Sequence, residues 1–413
     1  MAVSGSFDYN NTVTEIIDDA LEYAGLRDRN QTTTADVAQT CVKTFNYMLK
    51  YWQTLNIGLW LIDDITLFLQ KSTLSYDIYA GGANATTSFV KTEIATAASS
   101  TATQVILDSV TGFGDTYDRD GIITATTPTG SGAITLSGTL VANSVATLSS
   151  ERKILIYSDG DDSGVTFAVN GKNSLGTVVS ETITGPNTTS VYSTKEYSTI
   201  TSISISGAGT GNIEVGQVGD HLGIELDGGS LQWTNIIGTP NTTQTIADAL
   251  TDDVNVDANV YTYTKKAQKP LEIIEARLML DGATEYPINI RPRSEYKYLS
   301  DKDSTGKCTQ LYQDARIDRM TAYTWPVATI VKDYIKMSAK RRIDDVDELT
   351  DNVALPPEAL LMVATNLAYW IGPKFGVNAE KMMQLKGLAS ETLQAFMMYD
   401  QEGTSFTVSL RDY

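Results

Sequence analysis

The stretch that most constrains the fold runs from residue 86 to residue 219, where Ser, Thr and Gly are abundant and Trp is absent. Its short runs alternate apolar with polar residues, and Gly- or Asn-bearing turns separate them. Clear examples are residues 165–169, 178–183 and 200–205. Alternation with a period of two is typical of half-buried strands, whereas an amphipathic helix has apolar residues three or four apart. We therefore predict an all-β module, with an immunoglobulin-like sandwich over about 152–218.

Helical spacing appears before this module. Thr12 and Glu15 have the spacing of a capping box, and the apolar stripe that follows them ends at Gly25. A second helix is predicted after Thr34, because apolar residues keep helical spacing until Gly58. Both segments therefore predict packed amphipathic helices.

The C-terminal part predicts a helical hairpin over residues 355–402. Pro356 and Pro357 suit the first turn of a helix, where a missing N–H loses no intrahelical bond. Gly372 and Pro373 should end the first helix, and Asn378 can cap the second. Two helices joined by so short a turn should pack antiparallel.

The remaining residues predict strands in the same body. Residues 65–69 and 74–79 suggest one hairpin, and residues 222–236 suggest another; further strands are expected at 271–280, 286–290 and 330–338. The predicted fold class is α+β: a helical bundle body with β-hairpins and strands, plus the inserted all-β sandwich module. The predicted domains are 1–85, 86–219 and 220–413, the last ending in an extended tail at 404–413.

Composition excludes several functions. The net charge of −19 argues against a surface that binds nucleic-acid phosphates. Cys41 and Cys308 lack the spacing of a disulfide framework or a zinc site. No apolar run reaches the roughly 20 residues that span a bilayer, and no signal peptide is recognisable, so we expect no membrane association.

The sequence contains only weak candidates for catalytic or metal-binding sites. Asp159, Asp161 and Ser163 have spacing like that of a calcium loop, but a bidentate Glu is missing at position twelve, so a turn between strands is the better interpretation. His221 has no acid or nucleophile beside it in sequence, and a structural role is expected. We predict no catalytic residues, no cofactor and no enzyme activity, while a glycosidase carboxylate pair stays a minor alternative.

A basic segment precedes an acidic one near the C-terminal helices. Lys340, Arg341 and Arg342 are followed by Asp344 and Asp345. The simplest interpretation is a solvated strand end with local charge pairing. The sharper hypothesis is a subunit interface, because a basic edge beside an acidic edge gives complementary faces in a ring of identical copies.

Several segments together resemble the head-to-tail adaptor proteins of short-tailed bacteriophages, a family also called tail accessory factor or packaged-DNA stabilisation protein. The resemblance lies in their order along the chain rather than in one motif. The segments are FNYMLKYWQTLNIGLWL (45–61), KPLEIIEARLML (269–280), RPRSEYKYLSDKDSTGK (291–307), YTWPVAT (323–329) and LPPEALLMVATNLAYWIGPKFG (355–376). The module around 161–187 is similar to the immunoglobulin-like sandwiches of phage structural proteins.

The resemblance implies a virion protein of the neck or tail region, present in the host cytoplasm during assembly. It implies a ring of about twelve copies beneath the portal protein, which closes the head after DNA packaging and joins it to the tail or nozzle protein. Double-stranded DNA would pass through the channel without sequence-specific binding. The tail would dock on the portal, and its alternating Phe406, Val408 and Leu410, with Tyr413, suit addition to a neighbouring surface.

Two other interpretations stay open. The chain is alternatively another phage tail or nozzle component, or a β-sandwich surface adhesin that binds host glycans. The glycan hypothesis makes residues 86–219 the functional part, but carbohydrate sites usually display aromatic platforms and this stretch has no Trp.

Overall fold

The computed structural model describes residues 9–28, 31–55, 61–281, 284–346, 349–350, 352–353 and 355–399. The chain forms two compact units. The helical unit combines Met1–Ile62 with Arg342–Tyr413, and the β unit is Asp63–Arg341. Segments from both ends of the chain therefore build one unit.

Four α-helices form the described part of the helical unit: α1 (Val13–Ala24), α2 (Ala35–Thr54), α4 (Leu360–Ile371) and α5 (Ala379–Tyr399). The fifth helix, α3 (Arg293–Lys297), belongs to the β unit. The four helices share one core, to which Ile16, Phe45, Val363 and Phe396 contribute. Within the part of the chain that the structure describes, no helix combines the length and apolar character needed to cross a membrane.

Helix α1 begins and ends where the sequence predicts. Thr12 Oγ1 accepts a hydrogen bond from the Glu15 amide, and Glu15 Oε2 accepts one from the Thr12 amide at 2.8 Å. Gly25 follows the helix in the left-handed region, at φ 70°, where a side chain would be strained. The predicted capping box is confirmed.

Helix α4 is the central element of the helical unit. It packs against α1, α2 and α5, so most of its surface is buried and its sequence is apolar on nearly every side. A 3-10 turn at Gly372–Lys374 ends it, and Asn378 caps α5 by accepting from the Lys381 amide at 2.8 Å. The predicted helical hairpin is confirmed.

The β unit contains an eight-stranded sheet. Its order is β2 (Ser75–Ile78), β23 (Met320–Trp325), β22 (Gln310–Ala315), β21 (Thr284–Arg291), β20 (Glu272–Leu280), β24 (Tyr334–Lys340), β1 (Ile62–Phe68) and β3 (Ala85–Thr86). Strands β21 and β22 run parallel, with α3 in the connection between them. A core that includes Leu67, Leu278 and Ile335 covers one side of the sheet.

A sandwich of two sheets encloses a second core, with Ile123, Ile156, Phe167 and Ile203 inside it. One sheet has the order β13 (Ser190–Tyr192), β10 (Ile154–Ser158), β15 (Ile213–Gln217) and β6 (Asp118–Thr126). The other has the order β12 (Val178–Thr184), β11 (Thr166–Lys172), β14 (Tyr197–Ile205), β9 (Val145–Arg152) and β8 (Val141–Ala142), with β7 (Gly132–Ile134) also paired to β14.

Strands that precede and follow the sandwich in the sequence pair with one another and close a barrel. Its order is β16 (His221–Glu225), β17 (Leu231–Ile237), β18 (Thr243–Ile246), β5 (Gln104–Leu107), β4 (Val90–Thr96) and β19 (Asn259–Tyr263). The barrel interior holds Ile94, Leu222, Ile236 and Val260. An aromatic cluster centred on Phe68 of β1 and Tyr261 of β19 joins the barrel to the eight-stranded sheet.

The predicted fold class is wrong. The described residues are mostly β, with 39% in strands and 20% helical, and the sheets include barrel-like ones. The body is therefore not a helical bundle that carries an inserted sandwich. The expectation failed because isolated period-two runs reveal strands but not their partners, and these runs join across long separations into a sheet and a barrel.

The two predicted hairpins have different outcomes. Strands β16 and β17 pair antiparallel around residues 227–229, as predicted. Strands β1 and β2 do not pair with each other: β1 pairs with β3 and lies beside β24, whereas β2 pairs with β23. The hairpin predicted over residues 65–79 is therefore wrong, because each strand finds its partner far along the sequence.

Candidate assembly surfaces

The predicted portal-docking residues, Phe406, Val408, Leu410 and Tyr413, lie outside the described residues. The structure does describe α5, the helix that precedes them. Asn366 of α4 donates from Nδ2 to the carbonyl oxygen of Ala389 at 3.1 Å, and Thr365 Oγ1 lies 2.8 Å from Thr392 Oγ1. These contacts fix α5 on α4, and the chain continues from that helix into the predicted tail.

The predicted interface segment divides between the two units. Lys340 and Arg341 belong to the β unit, whereas Arg342, Asp344 and Asp345 belong to the helical unit. Lys340 is the last residue of β24 and pairs in register with Glu272. Arg341 Nε lies 3.7 Å from Asp63 Oδ2.

Asp345 has its own partner in the helical unit. Lys50 Nζ lies 2.5 Å from Asp345 Oδ1 and donates to the carbonyl oxygen of Ile343 at 2.9 Å. Asn46 and Val346 exchange two further hydrogen bonds beside this pair. Both members of the Lys50–Asp345 pair are more than two-fifths exposed, and such pairs contribute about 0–1 kcal/mol. Their charges can therefore exchange partners at little cost when another surface approaches.

The calcium-like turn is held by protein donors. Asp159 accepts from the backbone amide and the Nδ2 of Asn212, and these bonds lower the pKa of Asp159. Asp161 Oδ1 accepts from the amide and hydroxyl of Ser163 at 3.1 and 2.6 Å. The carboxylates thus close a turn between β10 and β11, which agrees with the simpler interpretation of the sequence.

Asp162, which the sequence analysis did not single out, anchors this turn. It is buried, and it accepts hydrogen bonds from Ser158 Oγ at 2.5 Å, from the Thr210 amide at 2.7 Å and from the Gly211 amide at 3.3 Å. Burial raises the pKa of Asp162, but these bonds outweigh that effect and leave the pKa below its usual range. The charged carboxylate is therefore stabilised by fixed donors.

An acidic cluster lies at one end of the barrel. The carboxylate oxygens of Glu93, Asp108 and Asp257 all lie within 4.8 Å of one another. They come from β4, the end of β5 and the turn before β19, so only strand pairing brings them together. Calcium takes six to eight oxygen ligands, and three carboxylates alone do not build such a centre.

Arg152 joins the sandwich to the barrel. The side chain is fully buried, and its guanidinium donates to the carbonyl oxygens of Val218 at 3.0 Å and Thr264 at 2.8 Å. It also donates to Thr116 and Ser150. Burial lowers the pKa of Arg152 to about 10, because the charged form has lost its water.

His221 lies beside this arginine and is enclosed. Its ring nitrogens contact Asn235 Nδ2 at 3.2 Å and Ser150 Oγ at 3.3 Å, and its ring packs on Tyr263 at a centroid distance of 5.0 Å. Burial and the nearby cations Lys266 and Arg152 hold the pKa of His221 well below its usual value. The neutral imidazole thus serves as a hydrogen-bonding element where the sandwich meets the barrel.

A groove of about 560 Å³ opens on the sandwich, between β6 and β7. Hydroxyl groups dominate its lining, which includes Thr124, Thr127, Ser131 and Ser137. Thr124 Oγ1 and Ser137 Oγ lie 2.8 Å apart, so part of the lining is already hydrogen-bonded internally. The groove offers polar contacts to a ligand without an aromatic platform.

The outer face of α5 was also missed by the sequence analysis. Met383 and Met398 are each 76% exposed there.

No protein-family model matches the chain, and no curated protein matches it.

Proposed function

We propose that the chain is a structural virion protein: a head-to-tail adaptor that forms a ring beneath the portal protein and joins the head to the tail. The observation that carries the proposal is the helical unit. It is assembled from both ends of the chain around α4, and it presents α5 directly before the alternating tail. Such an arrangement suits a protein that docks through an extended terminal segment.

The shifted titratable groups support a structural role. Arg152 and His221 are enclosed between the sandwich and the barrel, and Cys308 is buried in the core of the eight-stranded sheet. Each side chain contributes to packing or to internal hydrogen bonds, rather than lining a cleft that substrate can enter.

The charge of the chain supports passage of DNA rather than tight binding. At −19, the protein repels phosphate groups, although screening over about 8 Å at physiological salt confines the effect to close approach. An acidic channel wall of this kind would let double-stranded DNA pass without retaining it.

Binding to purified portal rings tests the proposal. We expect the full chain to add a ring of density below the portal in electron micrographs. Replacing Phe406, Val408 and Leu410 by Ser should abolish that density, because the apolar side of the tail is lost. The matched control is Thr407→Ala with Ser409→Ala, which changes only the polar side and should still bind. A chain that does not bind portal rings at all would refute the proposed function.

Glycan binding is a second candidate, favoured by the hydroxyl-lined groove between β6 and β7. It predicts that the full chain binds particular oligosaccharides on a glycan array. Thr127→Ala combined with Ser131→Ala should then remove that signal, whereas equal binding by both proteins would exclude the groove.

A further inference from the structure

Helix α2 and the turn after α4 share a surface of aromatic and basic side chains. Tyr47 and Tyr51 of α2 are 56% and 48% exposed. The Tyr51 ring packs beside that of Trp370 at a centroid distance of 5.5 Å. The ammonium groups of Lys43 and Lys374 each lie 5.9 Å from the centroid of the Tyr47 ring. We call these five residues the aromatic-basic surface.

This surface is held in place and keeps its positive charge. Lys374 Nζ donates to Thr44 Oγ1 of α2 at 2.6 Å, which fixes the turn after α4 against the helix. Helix α2 has no acidic residue after Asp36 in its first turn. Among the described residues, neither Lys43 nor Lys374 forms an ion pair. Exposed Tyr and Trp rings are enriched at protein interfaces, and the two cations favour a partner with an acidic surface.

Helix α1 carries the opposite charge. Its four acidic residues lie within an arc of about 100° when successive residues turn by about 100°, and it has no basic residue: Glu15, Asp18, Asp19 and Glu22. Arg27, just after the helix, pairs with Asp18 at 3.1 Å and with Glu22 at 3.2 Å, so one guanidinium serves four carboxylates. Partial burial and then the three neighbouring carboxylates raise the pKa of Asp19. Further cations from outside the helix would relieve this repulsion.

We propose that the aromatic-basic surface of one copy binds the acidic side of α1 on a second copy. Within one copy, the lysines of this surface do not pair with the α1 carboxylates, so both charges are available to a neighbour. Because the two surfaces differ, the contact is head-to-tail, and such contacts close a ring when the rotation permits. This inference rests on the proposed function for the ring itself, and it names how neighbouring copies recognise each other.

The composition of the surface favours protein over duplex DNA as the partner. Affinity for DNA comes mainly from many contacts between basic side chains and phosphates. The aromatic-basic surface has two lysines, in a chain with a net charge of −19. Its three rings instead supply the apolar area on which a protein contact depends.

Photo-crosslinking of the full chain tests the contact without any portal. The substitution Tyr47→p-benzoylphenylalanine keeps an aromatic ring on the surface and reacts with whatever lies against it. Mixing isotopically heavy and light copies distinguishes links between copies from links within one. We expect heavy-light products that join position 47 to the peptide containing α1. Products that lie only within one copy, products that join other segments, or no product at all would each overturn the proposal.

Charge reversal provides a matched pair of variants. Lys43→Glu with Lys374→Glu in the probe-bearing chain should lower the yield of the α1 product at least about tenfold, because like charges then face each other. Lys381→Glu with Lys386→Glu changes the net charge by the same amount on α5 and should leave the yield unchanged. Equal yields from the two double variants would contradict the contact. Thermal unfolding by circular dichroism checks that each variant folds.

A compensating reversal on the second copy makes the test specific. Asp18→Asn with Asp19→Lys makes α1 less acidic and should also lower the yield when this variant alone carries the probe. Mixed with the probe-bearing Lys43→Glu and Lys374→Glu chain, it should restore the product, and failure to restore it would refute the pairing of these surfaces. The result is separate from portal binding: copies that crosslink through α1 but ignore the portal would refute only the adaptor role.

Discussion

Asn366 on α4 is hydrogen-bonded to the carbonyl oxygen of Ala389 on α5, and the same amide nitrogen also donates to the carbonyl oxygen of Met362 at 2.8 Å. The Asn366 side chain is buried, so water does not compete for either hydrogen bond. Asn366→Ala should therefore lower the free energy of unfolding of the helical unit by about 2 kcal/mol. Urea unfolding followed by circular dichroism measures the loss. Gln394→Ala on the exposed side of α5 is the control and should change stability by less than about 0.5 kcal/mol.

Removal of the capping box of α1 should lower the stability of the helical unit by a smaller amount. Thr12→Ala removes the oxygen that accepts from the Glu15 amide, and a loss of about 1 kcal/mol is expected. The Thr12→Ser variant keeps that oxygen, and its free energy of unfolding should lie within a few tenths of a kcal/mol of that of the unchanged chain. Equal unfolding midpoints for the Ala and Ser variants would contradict the role of the cap.

His221 should make stability depend on pH, and the chain has a single histidine, so the effect is assignable. The folded state keeps this imidazole neutral, because its pKa is well below the usual value, whereas the unfolded chain binds a proton below about pH 6.5. Unfolding then takes up a proton, and stability falls as the pH drops from about 6.5 to 5.5, with a slope of up to about 1.4 kcal/mol per pH unit.

Proton NMR of the imidazole checks this directly. The His221 resonance of the folded protein should keep its neutral chemical shift through that pH range, and His221→Gln should remove the slope. Titration of the folded protein near pH 6.5 would contradict the prediction.

The two cysteines report on the two units separately. Burial raises the pKa of Cys41 in the helical unit to about 11 and that of Cys308 in the β unit to about 12. Since the thiolate is the reactive form, both thiols should resist a disulfide reagent in the folded protein at pH 8. Cys41→Ala and Cys308→Ala variants each leave one thiol, and its labelling in urea should follow the unfolding of its own unit. Rapid labelling of either thiol without urea would show that its unit opens.

The charged segment yields a prediction about assembly. Arg341→Glu together with Arg342→Glu reverses the basic side and should weaken ring formation on the portal, most strongly at low salt, where screening is least. Lys50→Ala removes the partner of Asp345 without reversing a charge and should assemble normally. Analytical ultracentrifugation of portal mixtures at two salt concentrations compares the variants. Unchanged assembly of the double variant at low salt would exclude the segment from the interface.

Local signals predicted the helices well. The capping box at Thr12, the glycine after α1 and the Asn378 cap all involve residues within a few positions of one another, so the sequence alone displays the whole motif. The period-two runs also marked the strands of the sandwich. Helix ends and strand character are local properties, which explains why this part of the fold was predictable.

Strand partners were not predictable in the same way. Strand β1 lies beside β24, and β4 pairs with β19, in each case across a long stretch of intervening chain. Nothing in an isolated alternating run names its partner, and so the barrel and the eight-stranded sheet were missed. The cluster of Glu93, Asp108 and Asp257 was missed for the same reason.

The sequence revealed the surface sites only in part. The charged segment at 340–345 was visible as a run, but its division between two units required the structure. The exposure of Met383 and Met398 on α5 required knowledge of which side of the helix is buried.

The assembly of the helical unit from both ends of the chain sets an order of events during translation. Helices α1 and α2 leave the ribosome before the β unit does, and the surfaces that they bury against α4 stay uncovered until α4 has been made. The whole β unit is synthesised in between and can fold by then, since domains generally fold as units. A ribosome that stalls before Leu360 would therefore hold a folded β unit together with two exposed helices, which is a substrate for chaperones.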